Sequence, residues 1–120
     1  MSCTPLWEMK DHFRNDTFRE KLITLTNDDD TPIDITGCTF LMQFRKAEIG
    51  ENTNPVSFFW SSSDDSFEIE DAENGVLKMN KKVISADPNI YVSDFQITYA
   101  NGDVETLFKV KINVIQDIST

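Results

Sequence analysis

Apolar and polar residues alternate most plainly in the last quarter of the chain. Between Ile90 and Tyr99, the residues Tyr91, Phe95, Ile97 and Tyr99 share one parity, and Asp94, Gln96 and Thr98 share the other. After Asn101-Gly102, one parity carries Val104, Thr106, Phe108, Val110, Ile112 and Val114, with Glu105, Lys109, Lys111 and Asn113 opposite. A period of two predicts strands, because successive side chains leave opposite faces of a pleated backbone. Asn101-Gly102 predicts a two-residue type I′ turn, whose central positions both need positive φ. The remainder of the chain has to cover the apolar face of this hairpin.

Upstream, the pattern predicts a first strand over Thr17–Leu25, closed by the polar run Thr26 to Asp30. Asn and Asp suit such a turn because they tolerate left-handed backbone and hydrogen-bond their own chain. Thr31–Ile35 reads as a short extended piece in which Pro32 removes one ladder donor, which suits a sheet edge. Gly37 leads into Cys38–Arg45, where Cys38, Phe40, Met42 and Phe44 point inward and Thr39, Gln43 and Arg45 outward. Ala47–Pro55 is loop by composition. The mostly apolar run Val56–Trp60 predicts a central strand covered on both faces. Ser66–Glu70 is a further strand with Phe67 and Ile69 inward, and Gly75–Met79 another. Asn80–Asp87 predicts one helical turn, with Asn80 as N-cap and Pro88 as the stop.

About seven short strands with turn signals every 8–12 residues predict an all-β fold, an immunoglobulin-like antiparallel β-sandwich. The Cys, Trp, Cys spacing of antibody domains is missing, so the word covers two-sheet architecture alone. Residues 16–120 form the expected sandwich domain. Residues 1–15, with Pro5, Leu6, Trp7, Met9 and Phe13 at no regular period, form an N-terminal arm. The arm is either an edge strand over the core or a segment that docks on a neighbouring subunit. With Trp60, the residues Leu6, Trp7, Met9 and Phe13 are the candidate interface.

A chain of 120 residues is long enough to bury a core without metal or disulfide staples. The formal net charge of −10 argues against nucleic acid and anionic membrane as partners, since both attract Lys and Arg. No segment approaches the roughly 20 apolar residues of a membrane helix, and Met1–Asp11 lacks the pattern of a signal peptide. Cys3 and Cys38 form neither a disulfide framework nor a zinc pattern, and free thiols are expected.

Candidate chemistry is thin. Asp28, Asp29, Asp30 and Asp34 supply oxygens for a Ca²⁺ loop but lack EF-hand spacing, and a solvated turn accounts for them. The 21 acidic residues guarantee carboxylate pairs by chance, and no motif selects one as a glycosidase pair. His12, the single histidine, and Cys38 make a nucleophilic pair only on paper, because Cys38 falls on a core parity where its thiolate is disfavoured. Trp7, Phe13, Phe58 or Phe59, and Trp60 are the aromatics left over for stacking on a sugar or a partner. No catalytic residue, cofactor or metal is expected.

Three stretches carry a resemblance: Asp16-Thr17-Phe18-Arg19, then Asp30-Thr31-Pro32-Ile33-Asp34-Ile35-Thr36-Gly37, then Phe40 to Arg45. They resemble small proteins and N-terminal domains encoded among the structural genes of tailed bacteriophages, in which a strand leads to a Pro-Ile-Asp-Leu-Thr-Gly turn and an alternating strand ending in Arg. The long closing hairpin across Asn101-Gly102 is similar too. Cys38, where Tyr is usual, and Ile35, in place of Leu, depart from the pattern. The resemblance covers about two thirds of the chain. It implies a β-sandwich virion component, of tail or baseplate, with a head-surface role as the alternative. It also implies other virion proteins and further copies of the chain as partners. A glycan-binding module is the competing reading.

Overall fold

The computed structural model describes residues 6–47 and 54–116, and these form eleven strand segments rather than about seven. They are β1 (Leu6–Glu8), β2 (His12–Phe13), β3 (Thr17–Phe18), β4 (Lys21–Thr24), β5 (Thr39–Lys46) and β6 (Val56–Ser61). A single 3₁₀ turn, Ser62–Asp64, leads to β7 (Phe67–Asp71), β8 (Val76–Met79), β9 (Lys82–Val83), β10 (Asn89–Thr98) and β11 (Val104–Ile115). The fold is all-β. The largest sheet runs β1-β11-β10-β5-β6, with β2 also on β11; a second runs β4-β8-β7, and β3 pairs with β9. Ladders are antiparallel except those of β1 and β2, which run parallel to β11.

One core joins the sheets. Phe40, Met42 and Phe44 from β5, Tyr91, Phe95 and Ile97 from β10, and Val110, Ile112 and Val114 from β11 are buried on the parity the alternation assigns. Phe67, Leu77 and Met79 face them from the second sheet, and the Phe67 ring lies edge-on to Phe40 at 6.4 Å and to Phe95 at 5.6 Å. Removing such large side chains from water is the main stabilising contribution, about 25 cal/mol for each Å² of apolar surface.

The departures from the sequence pattern are local. Thr17–Leu25 is not one strand, because β3 and β4 pair with different partners, β9 and β8. Val56–Trp60 is not central: β6 is an end strand, and Phe59 remains 38% exposed. In β7, Phe67 is buried but Ile69 stays 39% exposed at the sheet's edge. Asn80–Asp87 forms no helical turn. Lys82–Val83 is a strand, and Asn80 uses its side chain to reach the Asp65 carbonyl at 2.7 Å and Glu68 Oε1 at 2.6 Å.

The hairpin is displaced at both ends of its turn. Between Phe95↔Phe108 and Gln96↔Thr106 the register slips by one, which leaves Leu107 as the extra residue of a bulge on β11. Val104 and Thr106 therefore take the outward phase, Val104 at 60% exposure, and Glu105 comes opposite Ile97. The turn has three residues. Gly102 N–H donates to the Tyr99 carbonyl at 2.8 Å, and Gly102 alone has positive φ, +95°. This is a turn followed by a left-handed glycine, not type I′; the Asn101 side chain instead accepts from Asp103 N–H at 3.0 Å.

Candidate interaction surfaces

The N-terminal segment follows β11 like an additional strand. Leu6, Trp7 and Glu8 lie opposite Lys109, Val110 and Lys111, and His12 and Phe13 opposite Val114 and Ile115. Four steps on the segment, Glu8 to His12, match three on β11, and Lys10 and Asp11 take up the surplus at the surface. Met9 is buried in the shared core and its N–H donates to the Lys111 carbonyl at 2.9 Å. Trp7 is half-buried, edge-on to Phe108 at 6.3 Å, with Lys21 Nζ 5.7 Å above its ring. Leu6 and Phe13 remain 57% and 45% exposed. Among the four arm residues expected at an interface, Leu6 and Phe13 thus face solvent, while Trp7 and Met9 hold the segment to its own domain.

Trp60 does not belong with them. It is completely buried, its Nε1–H donates to the Asn80 carbonyl at 2.9 Å, and Phe18, Phe44 and Phe58 pack edge-on around it. The run Val56–Trp60 concealed this because Phe58, Phe59 and Trp60 are consecutive aromatics, so the alternation that turns Phe58 and Trp60 inward and exposes Phe59 leaves no mark in the composition; the strand also carries a bulge. Phe58 pairs with Phe44 but Val56 with Arg45, which leaves Ser57 as the extra residue.

The sheet edges differ in how far they are protected. On β6 the Ser57 bulge blocks one end, and at the other Lys82 Nζ lies 5.1 Å from the Phe59 ring and 5.5 Å from the Trp60 ring. Edge β7 carries Glu68, Glu70 and Asp71 and a register slip. Bulges and charges of this kind discourage pairing with another chain. Edge β4 is four residues long and carries a single charge, Lys21, with neither a slip nor a proline, and Leu22 on it is 55% exposed. Leu22 and Ile23 meet Trp7 and Phe108 across an open apolar cleft of ≈ 260 Å³ between the two sheet edges. The outer face of the large sheet is a wider concavity of ≈ 690 Å³, floored by Leu41 and Val92 and rimmed by Gln43, Arg45, Gln96 and Lys109. Neither Trp nor Tyr lines it, so it lacks the ring platform that sugar stacking uses.

The Pro-Ile-Asp-Ile-Thr-Gly stretch is a pinned corner. Pro32 bridges to Thr26, Ile33 is half-buried and Ile35 fully buried. Asp34 Oδ1 accepts from both Thr36 N–H at 3.0 Å and Thr36 Oγ1 at 2.6 Å. Cys38 N–H closes the turn on the Ile35 carbonyl at 3.1 Å, with Gly37 at φ +77°. The same carboxylate device recurs at Asp29 with Thr31 and at Asp64 with Ser66. In all three, the side-chain hydroxyl and then the backbone N–H hold the carboxyl below its ordinary pKa. These aspartates are turn-formers satisfied within three residues of chain. Among the described residues no group of three or more His, Cys, Asp or Glu side chains is arranged to hold a metal ion.

Cys38 is buried and unbridged, and desolvation pushes its thiol up; Cys3 lies outside the described residues. His12 Nε2–H donates to the Asp16 carbonyl at 3.0 Å. Cys38 adjoins Thr39, whose row crosses Thr98 to Val104, whereas His12 lies in the row of Val114. Ten residues of strand separate those rows, roughly 33 Å. No His12–Cys38 dyad forms.

No protein-family model matches the sequence, and no curated protein matches it. Among solved structures, a family 123 glycoside hydrolase from Clostridium perfringens, studied for glycolipid glycan hydrolysis, is similar over 96% of this chain at 13% identity, with a TM-score of 0.37. The chain spans 24% of that enzyme's length.

Proposed function

We propose that this chain is a non-enzymatic structural component of a tailed-phage virion, an adaptor or scaffold of the tail or baseplate that assembles through its N-terminal segment and a sheet edge. The observation that carries the assembly role is the apolar cleft where Trp7 of β1 and Leu22 of the edge β4 lie side by side, with Leu22 exposed there and Leu6 exposed on the outer face of the large sheet. Solvent-facing apolar side chains beside a strand edge that no bulge interrupts are the chemistry of a protein–protein contact. The phage assignment rests on the resemblance of Pro32 to Gly37 and its flanking strands. Within this reading the two packed sheets form an immunoglobulin-like sandwich, and the net charge of −10 keeps the protein away from packaged DNA.

The test is immunogold labelling of intact particles from the phage or induced prophage that encodes the chain. Label at the tail tip is expected. Label on the head moves the protein to a head-fibre or decoration role. Unlabelled, well-formed particles from cells that express the protein refute the virion reading and bring the glycan module forward. Deleting residues 1–13 is a poor companion test, because it removes Met9 from the core. Leu6→Asp and Leu22→Asp leave the core intact and should abolish assembly without lowering the melting temperature.

A further inference from the structure

The segment β1 is attached to its domain in a way that two copies can exchange. We infer that a second copy of this chain takes the place of the resident β1: residues 6–9 of one copy pair with β11 of the other, and reciprocally. This deepens the assembly reading above and rests on it.

Three observations lead there. First, β1 has only three residues, and its ladder joins it to β11 alone. What holds it is the pairing with Lys109 to Lys111, the burial of Met9, the ring contact of Trp7 with Phe108 and the exposed ion pair of Glu8 with Lys111 at 3.8 Å. Each contact is equally available from a second copy, so complementarity is given by the resident strand itself.

Second, the hinge has a definite place. Downstream of it the chain is pinned: Arg14 N–H reaches the Ile115 carbonyl at 2.8 Å, Asn15 N–H the Ile84 carbonyl at 2.7 Å, and the Arg14 guanidinium Asp87 at 3.1 Å. Upstream, Met9 belongs to the core. Between them Lys10 and Asp11 are exposed, outside any strand, at the point where the ladder carries one residue too many.

Third, the reach suffices. When two copies face each other β1 to β1 across a two-fold axis that runs along the strands, each β1 keeps its direction, turns over about its own length and moves sideways by one strand spacing, about 4.8 Å. Two extended residues span up to roughly 7 Å. Elsewhere the copies repel each other through their net charge of −10, whereas the pieces exchanged carry one acid, Glu8, onto one base, Lys111. Exchange replaces each contact with an identical one, so it opposes only the entropy of association. High local concentration, as in an assembly, removes most of that opposition.

The test mixes two single variants in a Cys3→Ser background, Glu8→Cys and Lys111→Cys, at millimolar concentration under mild oxidation. The double variant Glu8→Cys/Lys111→Cys, diluted, serves as control. Register partners on neighbouring strands are close enough for a disulfide. The control is expected to close the 8–111 bridge within one chain. The mixture is expected to give the same 8–111 peptide between chains, at least about tenfold above a mixture of either variant with unmodified protein. A control that closes beside a mixture that gives none overturns exchange. A mixture linked 8–8 overturns it too, showing edge-to-edge association of resident strands. A control that fails to close removes the docked position of β1 and the inference with it. Particle labelling is indifferent to all these outcomes, so the virion reading and the exchange fail separately.

Discussion

Gly75→Ala should be the most damaging of the glycine substitutions, and its cost can be worked from the backbone around it. Gly75 lies where three stretches of main chain cross. Its carbonyl accepts from Leu25 N–H at 2.9 Å, and the Leu25 carbonyl accepts from Ile33 N–H at 3.1 Å. A Cβ on residue 75 would stand 2.5 Å from the Leu25 oxygen and 2.6 Å from the Ile33 oxygen. Both obstacles are backbone, and neither can rotate away. The residue also has φ +69°, which costs a non-glycine roughly 1–2 kcal/mol. Displacing the neighbouring chains adds the price of overpacking, about 1–3 kcal/mol. The total is about 2–5 kcal/mol, a fall in urea midpoint of roughly 1–3 M at an m-value of about 1.5 kcal/mol/M. Gly102→Ala is the internal control: its φ is +95°, but a Cβ there meets nothing within 4 Å. Gly37→Ala should fall between, with a Cβ 3.1 Å from that of Ala100. Equilibrium urea unfolding followed by tryptophan fluorescence measures all three. Equal midpoint shifts for Gly75→Ala and Gly102→Ala would refute the argument from close approach and leave backbone conformation as the whole effect.

Two titrations follow from the same structure. The carboxyls of Asp29, Asp34 and Asp64 are held low in the folded state, so the unfolded chain binds more protons as acid is added; the stability they contribute is complete above the ordinary aspartate pKa and is lost as pH falls through the depressed values. Asp34→Asn should flatten that acid limb in urea unfolding at pH 2–5, and an unchanged limb would show that the Thr36 contacts carry no linkage. Both tyrosines are shifted the other way: Tyr99 is pushed up to about 12, first by its hydrogen bond to Glu105 and then by burial, and burial raises Tyr91. Their contribution is complete below the ordinary tyrosine value near 10 and is lost as pH rises through the folded values. Absorbance at 295 nm should therefore show both tyrosinates forming above the ordinary value in the native protein, Tyr99 at about pH 12, and Glu105→Gln should bring the Tyr99 step down.

The parity of a strand was legible wherever the ladder runs without interruption. Cys38, Phe40, Met42 and Phe44 are inside as their spacing requires, and so are Tyr91, Phe95 and Ile97. The failures have local causes that alternation does not record. Leu107 inverts the phase of Val104 and Thr106, and the unbroken aromatic run Phe58-Phe59-Trp60 hides the alternation of β6, so that Trp60 reads as a surface ring. A bulge adds one residue with no compositional mark, and alternation carries across it undisturbed. Thr17–Leu25 looked continuous because apolar content does not record which strand lies alongside. For the candidate surfaces, the exposure of Leu6 and Phe13 agreed with an aperiodic arm, but the burial of Met9 needed the parallel register with β11, which joins residues some hundred positions apart. Nothing in the local sequence of Lys21–Thr24 marks it as the edge of the second sheet.

The parallel ladder between β1 and β11 also governs when the molecule can be finished. Leu6 lies opposite Lys109, 103 residues later in the chain. At about 5–20 residues per second, synthesis of the partner strand lags that of β1 by roughly 5 to 20 s. Throughout that interval Leu6, Trp7 and Met9 have no β11 of their own to cover them. Contacts this distant in sequence close last and slowly, so apolar residues that emerge about a hundred positions before their partner strand are among the last to be sheltered. Chains growing side by side on one message would meet with these strands still free, and the choice between pairing within a copy and between copies would be made by timing before it is made by equilibrium.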